Sequence, residues 1–362
     1  MVDLKDTIDY KETIKFNEKR YSIKVDQLKP NEHVFMTKIL DQLSGVDTRY
    51  TNSCKKKVVI DFKITRFEYS EALTIKSKGI KDMYYIIISR GLILRLFTLI
   101  ETAAIGVKRQ NKLKIDRKRS AIGNDILVED ISRFSFEKNQ HSTNKERERI
   151  DLTFLSVLEF VLYHEMSHIY QGHIEWMANR SEVNSFGFHP LKDKIGNIRL
   201  LEHHADENSV WLCMSENYQG NPLLIDMLKG SFSYSDYLSH FVYGLIIFFH
   251  FFEDFQEYAF EKRGTSHPHP EIRTNIIYSS IKNIISYLCD IDSDIESLNE
   301  DVDLGYNAAI KALEADLVDF RPFYNSFHSI NPGDWMLKEV SNYNNSKMYL
   351  IKMLESYKIL KN

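Results

Sequence analysis

The stretch Val161-Leu162-Tyr163-His164-Glu165-Met166-Ser167-His168-Ile169-Tyr170 sets two histidines and a glutamate into an otherwise apolar run. Upstream, Phe154, Val157 and Val161 lead into His164 and His168 at steps of three and four, so all five share one face of a helix. The pattern predicts a helix from Asp151 to about Met177. So apolar a helix belongs in a core, and the rest of the chain must be arranged to cover it.

Working outward, the flanking sequence supplies the cover. Met83 to Ile88 (MYYIII) reads as a short buried strand that turns at Ser89-Arg90-Gly91 into a helix over Gly91–Thr102. Lys57 to Thr74 carries β-branched and aromatic residues in partial alternation and predicts strands; Pro30 to Leu43 predicts a short helix. Downstream, helices are predicted over Arg199–Ser215 and Ser235–Phe260, with two or three more from Arg273 onward. The expected fold class is α+β. A small mixed sheet should pack on the helix of His164 and His168, and the C-terminal half should be largely helical. Three regions follow: an N-terminal α+β region (1–80), a core (81–285) with a polar loop at 107–149, and a C-terminal helical region (286–362).

Composition narrows the function classes. Hydrophobic residues make up 43% and charged residues 27% of the 362, which fits a folded chain and excludes a disordered one. The net charge of −4 provides no global pull toward nucleic acid or an anionic membrane. A basic cluster between Lys108 and Arg119 has no interleaved aromatics and reads as a solvated loop rather than a strand-binding surface. Cys54, Cys213 and Cys289 are odd in number and widely spaced, so neither a disulfide framework nor a cysteine metal site is expected. With a charged N-terminus, MVDLKDTIDYKET, that lacks an apolar stretch, a cytoplasmic protein is expected. Tyr237 to Phe252 is 16 residues long and contains His240 and His250. A bilayer needs about 20, so a buried core helix is expected and no integral span.

Three segments bear chemistry. In His164-Glu165-Met166-Ser167-His168, written HExxH, the histidines stand one turn apart and can converge on one Zn2+. Glu165, on a neighbouring position, can take a proton from a water that the metal activates. A catalytic zinc takes three protein ligands. In Leu201-Glu202-His203-His204-Ala205-Asp206, which begins about one loop later, Glu202 and Asp206 share a helix face. Glu202 is the expected third ligand, and Asp206 should accept the outer N–H of a ligand histidine. His203 and His204 point roughly 100° and 200° away around the helix and are the rivals for that place. His173 leaves the metal face and reads as a helix-end residue. In Ser266-His267-Pro268-His269-Pro270-Glu271-Ile272-Arg273 the prolines hold the chain extended. That segment reads either as a helix-start turn or as a rigid presentation of His267 to an oxyanion.

HEMSH followed by EHHAD and SHPHPEIR, with YYIIISRGLILRL upstream, resembles the gluzincin metallopeptidases of the HtpX and CAAX-prenyl-protease type over residues 83–280. The resemblance implies a zinc metallopeptidase with ligands His164, His168 and Glu202. It implies Glu165 and His267 as catalytic residues, with Asp206 and Arg273 in support. Long membrane helices of the HtpX type are missing from the pattern, which brings the chain nearer to the Lit-type phage-exclusion peptidases. That similarity implies a specific, triggered protease acting in phage defence on a protein or peptide substrate, such as a host translation component, with no nucleic-acid partner. The alternative is a regulatory or toxin-like zinc-binding protein with little general proteolysis.

Overall fold

The computed structural model describes residues 37–39, 41–42, 58–65, 72–77, 80–109, 144–178, 194–225, 228, 232–263, 270–289, 292–327 and 332–359. Three strands, β1 (Val59–Thr65), β2 (Ala72–Lys76) and β3 (Met83–Ser89), form a sheet in the order β1-β3-β2. β1 runs parallel and β2 antiparallel to the central β3. Among the described residues eight helices follow: α1 (Arg90–Arg109), α2 (Asn144–Tyr170), α3 (His173–Ala178), α4 (Lys194–Tyr218), α5 (Tyr234–Arg263), α6 (Pro270–Leu288), α7 (Asp292–Phe327) and α8 (Pro332–Leu354). Among the described residues the fold is mostly helical with a small mixed sheet, compatible with the α+β expectation.

β3 is apolar without alternation because both its faces are covered. Tyr84, Ile86 and Ile88 join the main core, whereas Met83, Tyr85 and Ile87 pack with Leu73, Ile75 and Ile80 on the far side. The same alternation points Thr74 and Lys76 of the edge strand β2 toward the helices, where they meet Glu165 and Glu175. The strand-to-helix turn after β3 is tighter than expected. Ser89 Oγ accepts the Leu92 amide at 3.0 Å, a helix N-cap, so α1 starts at Arg90.

α2 lies at the centre, packed against α1, α3, α4, α5 and the sheet. Every residue from Ile150 to Tyr170 is buried. Gly244 makes the approach of α5 to α2 possible: a Cβ there would stand 2.5 Å from Val157 Cγ2. α5 is the segment singled out as apolar, and Phe241, Leu245, Ile247 and Phe249 bury it in the core. No helix among the described residues is long and apolar enough to cross a membrane.

Two expectations need correction. The helix predicted to Met177 breaks after Tyr170, because Gly172 adopts φ 78° and starts α3 afresh. A Cβ on Gly172 would also strike the backbone of Tyr357, and the amide of Ile359 donates to the Tyr170 carbonyl at 2.8 Å. The chain beyond α8 therefore straps this turn. The polar loop predicted at 107–149 is also shorter at both ends, since α1 runs to Arg109 and α2 opens at Asn144. Its remainder, with most of the basic cluster, lies outside the described residues. So does most of the Pro30–Leu43 helix, of which residues 37–39 and 41–42 are helical.

Glu159, on α2, is fully buried and accepts the amides of Leu224 and Ile225 and, at 3.1 Å, Asn217 Nδ2. Burial pushes its carboxyl up to about 7, against the pull of those hydrogen bonds. The native state thus holds a proton that the unfolded chain releases above about 4.5. This contribution to stability is present at low pH and is lost as pH rises through the window from about 4.5 to 7. Urea unfolding at pH 5 and pH 7.5 should show the loss in wild type. Glu159→Gln, which carries no titrating proton, should show a smaller difference between the two pH values. An unchanged difference in the variant would mean that other groups set the pH dependence.

Candidate metal centre

His164 and His168 stand one turn apart on α2, and Glu202 faces them from α4, which packs alongside. One ligand atom from each of the three lies within 4.8 Å of the others, and all three residues are buried. His164 Nε2 is 3.2 Å from Glu202 Oε2 and 3.2 Å from His168 Nε2; His168 Nε2 is 3.7 Å from Glu202 Oε1. Donors held about 2.0–2.2 Å from one tetrahedral metal would stand about 3.3 Å apart, so the spacing fits. The chemistry fits too. Two imidazole nitrogens at 3.2 Å can share one hydrogen at most, whereas a cation between them satisfies both lone pairs. The group could therefore hold a metal ion.

The outer nitrogens are occupied. His164 Nδ1 lies 2.8 Å from Asp206 Oδ1. Asp206, fully buried, is itself gripped by Arg273, whose Nε and Nη2 donate to Oδ2 and Oδ1, both at 2.8 Å. Burial opposes the Asp206 charge, but Arg273 and His164 outweigh it and hold the carboxyl well below the usual carboxylate range. The guanidinium also covers the ring of Phe249 at 4.3 Å. His164 experiences the same field. Burial disfavours its charged form, but hydrogen bonds and charge from Asp206 and Glu202 raise its pKa to about 10. The same negative field would favour a metal cation between the rings.

Glu165 is buried next to the group. Thr74 Oγ lies 2.7 Å from its Oε2 and 3.0 Å from its backbone carbonyl. The hydroxyl has one hydrogen to give, and the charged oxygen is the stronger and nearer acceptor. The edge strand thus reaches into the site at a point that no sequence motif marks.

The remaining candidates divide. His267 and His269 lie outside the described residues. Arg273, one of the expected supporting residues, engages Asp206 from α6. The two rivals of Glu202 are outside the metal-compatible group, and both are buried. His203 packs against Tyr343, ring centroids 4.9 Å apart, and His204 Nδ1 meets His173 Nε2 at 2.9 Å. His173, read as a helix-end residue, does open α3, yet it is 0% exposed and its Nδ1 lies 3.1 Å from His168 Nδ1. The signal for it was the glycine before it: Gly172 folds the chain back, so that a residue off the helix face returns to the site. On another face of α4, His204, Glu207, Trp211 and Lys347 line a cavity of about 360 Å³. There Glu207 ties α4 to α8 through Tyr343 Oη (2.5 Å) and Lys347 Nζ (2.6 Å).

Comparison of the chain with protein-family models, with curated proteins and with solved structures finds no match.

Proposed function

We propose that the chain is a zinc-dependent endopeptidase of the gluzincin type. His164, His168 and Glu202 hold the metal, and Glu165 is the base. The observation that carries this reading is the convergence of two imidazole nitrogens and one carboxylate beside a second, separately held carboxylate. A structural site needs only the first set; hydrolysis needs both. Zinc, when bound, supplies Lewis-acid polarisation of a carbonyl and acidifies water.

The protein's own part is placement and proton transfer. Asp206, locked by Arg273, fixes the tautomer of His164 and turns its Nε2 inward. Thr74 holds one oxygen of Glu165, and the carboxylate would take a proton from water and deliver it to the leaving amine. His267, the second catalytic residue that the resemblance implies, is proposed to steady the oxyanion. The Lit-type similarity makes a folded host protein, and first a translation component, the substrate class to examine.

The test is a comparison of newly formed protein termini in cells expressing wild type with those in cells expressing Glu165→Gln. Termini unique to wild type support the reading; identical sets reject it. Removing the hydroxyl of Thr74 tests the placement of the base. Thr74→Val should lower kcat about tenfold with zinc content unchanged, since a hydrogen bond to a charged group contributes roughly 1.5–3 kcal/mol. Thr74→Ser should restore it. If valine and serine variants turn over alike, Thr74 has no such role.

A further inference from the structure

We infer that His173 is the positioning residue of the second metal ligand, and that it does so by imposing one hydrogen order on three imidazoles in series. This rests on the metal reading above. His168 places Nε2 among the ligand atoms, 3.2 Å from His164 Nε2. A neutral imidazole that gives Nε2 to a metal carries its hydrogen on Nδ1. The atom facing that hydrogen is His173 Nδ1, at 3.1 Å. It must therefore be bare, and His173 must carry its hydrogen on Nε2. That nitrogen faces His204 Nδ1 at 2.9 Å, which in turn must be bare. His204 then carries its hydrogen on Nε2. Each step follows from one hydrogen being available to each close nitrogen pair.

The structure around His173 is built to hold it. Gly172 turns the chain so that the ring lies beside His168, and the ring is 0% exposed. Two residues on, Glu175 accepts hydrogen bonds from Tyr84 Oη and, at 2.7 Å, from Lys76 Nζ, which pins the short helix α3 to the sheet. His168 and His173 meet edge to face, centroids 5.0 Å apart, and this fixes the plane of the ligand ring.

The two metal histidines are consequently backed in different ways. His164 leans on an anion that Arg273 neutralises. His168 leans on a neutral ring. A carboxylate, carbonyl or water is the usual outer partner of a metal-bound histidine. An imidazole orients the ligand as they do but adds no charge to the centre.

The experiment uses full-length protein. Zinc affinity is measured by chelator competition for wild type, His173→Leu and His173→Asn, with the unfolding of the metal-free proteins as a control for folding. Asparagine places an acceptor oxygen near the position of Nδ1; leucine fills the space without one. Loss of an outer partner costs about 10–100-fold in metal affinity. His173→Leu should weaken zinc by that amount, and His173→Asn should recover most of it. Long-range proton–nitrogen NMR of zinc-loaded wild type, labelled at histidine, should show Nδ1–H on His168 and Nε2–H on both His173 and His204. If leucine binds zinc as wild type does, or if His173 shows an Nδ1–H, the inference is overturned. If His173→Leu does not fold, the NMR pattern decides alone. Zinc lost from both His173 variants as completely as from His168→Ala would make His173 a ligand rather than its support. A wild-type protein that takes up no zinc overturns the metal reading itself.

Discussion

Glu165→Gln should lose turnover by about 10²–10⁴-fold, the usual contribution of a positioned base, and should keep its full complement of metal. The substitution is nearly isosteric. The amide can still accept the hydrogen of Thr74 Oγ through its oxygen, so the 2.7 Å contact to the edge strand survives in kind. What it cannot do is take a proton. The three ligand atoms are untouched, and zinc measured by mass spectrometry should equal that of wild type at about one per chain. Cleavage of the same substrate by zinc-loaded Glu165→Gln at the wild-type rate would remove Glu165 from the mechanism. Loss of zinc in the variant would show instead that Glu165 belongs to the ligand set.

Glu202→Ala should leave the protein folded but without metal. Only two nitrogens of the group would remain, and its one carboxylate would be gone. The loss of affinity should exceed the roughly 10–100-fold typical of an outer partner. The fold is expected to hold because the neighbouring Asp206–Arg273 pair, which joins α4 to α6, is not disturbed. His203→Ala is the matched control, one residue along and also buried, and should retain zinc. Circular dichroism with metal analysis reads both. Zinc retained by Glu202→Ala and lost by His203→Ala would reverse the assignment.

The pairing of α2 with α4 was legible in the sequence because both bear their polar residues one turn apart, and helical geometry then leaves few ways to orient them. Strand β3 was legible from its unbroken apolar run. Two features were not. Thr74 lies 91 residues from Glu165, in a strand whose alternation is only partial, and nothing local says that a threonine there meets a carboxylate. His173 stands at a helix end as read, but its return to the site was hidden by assuming a continuous helix. Its ring reaches the site only because the helix stops, and the stop depends on a glycine whose neighbour is Tyr357, far along the chain. His267 was read from an extended proline segment and lies outside the described residues, so its place rests on the resemblance.

The strap over Gly172 has a consequence for biosynthesis. Tyr357 and Ile359 close the turn between His168 and His173, yet they are translated long after it. At about 5–20 residues per second, they follow Gly172 off the ribosome's catalytic centre by roughly 10–40 s. During that interval α2 and α4 can already pair, but the turn that seats His173 has no lid. The growing polypeptide thus passes through a stage in which His164, His168 and Glu202 are made while the turn before His173 is not yet strapped. The seat of His173 is therefore completed only once translation has passed residue 359.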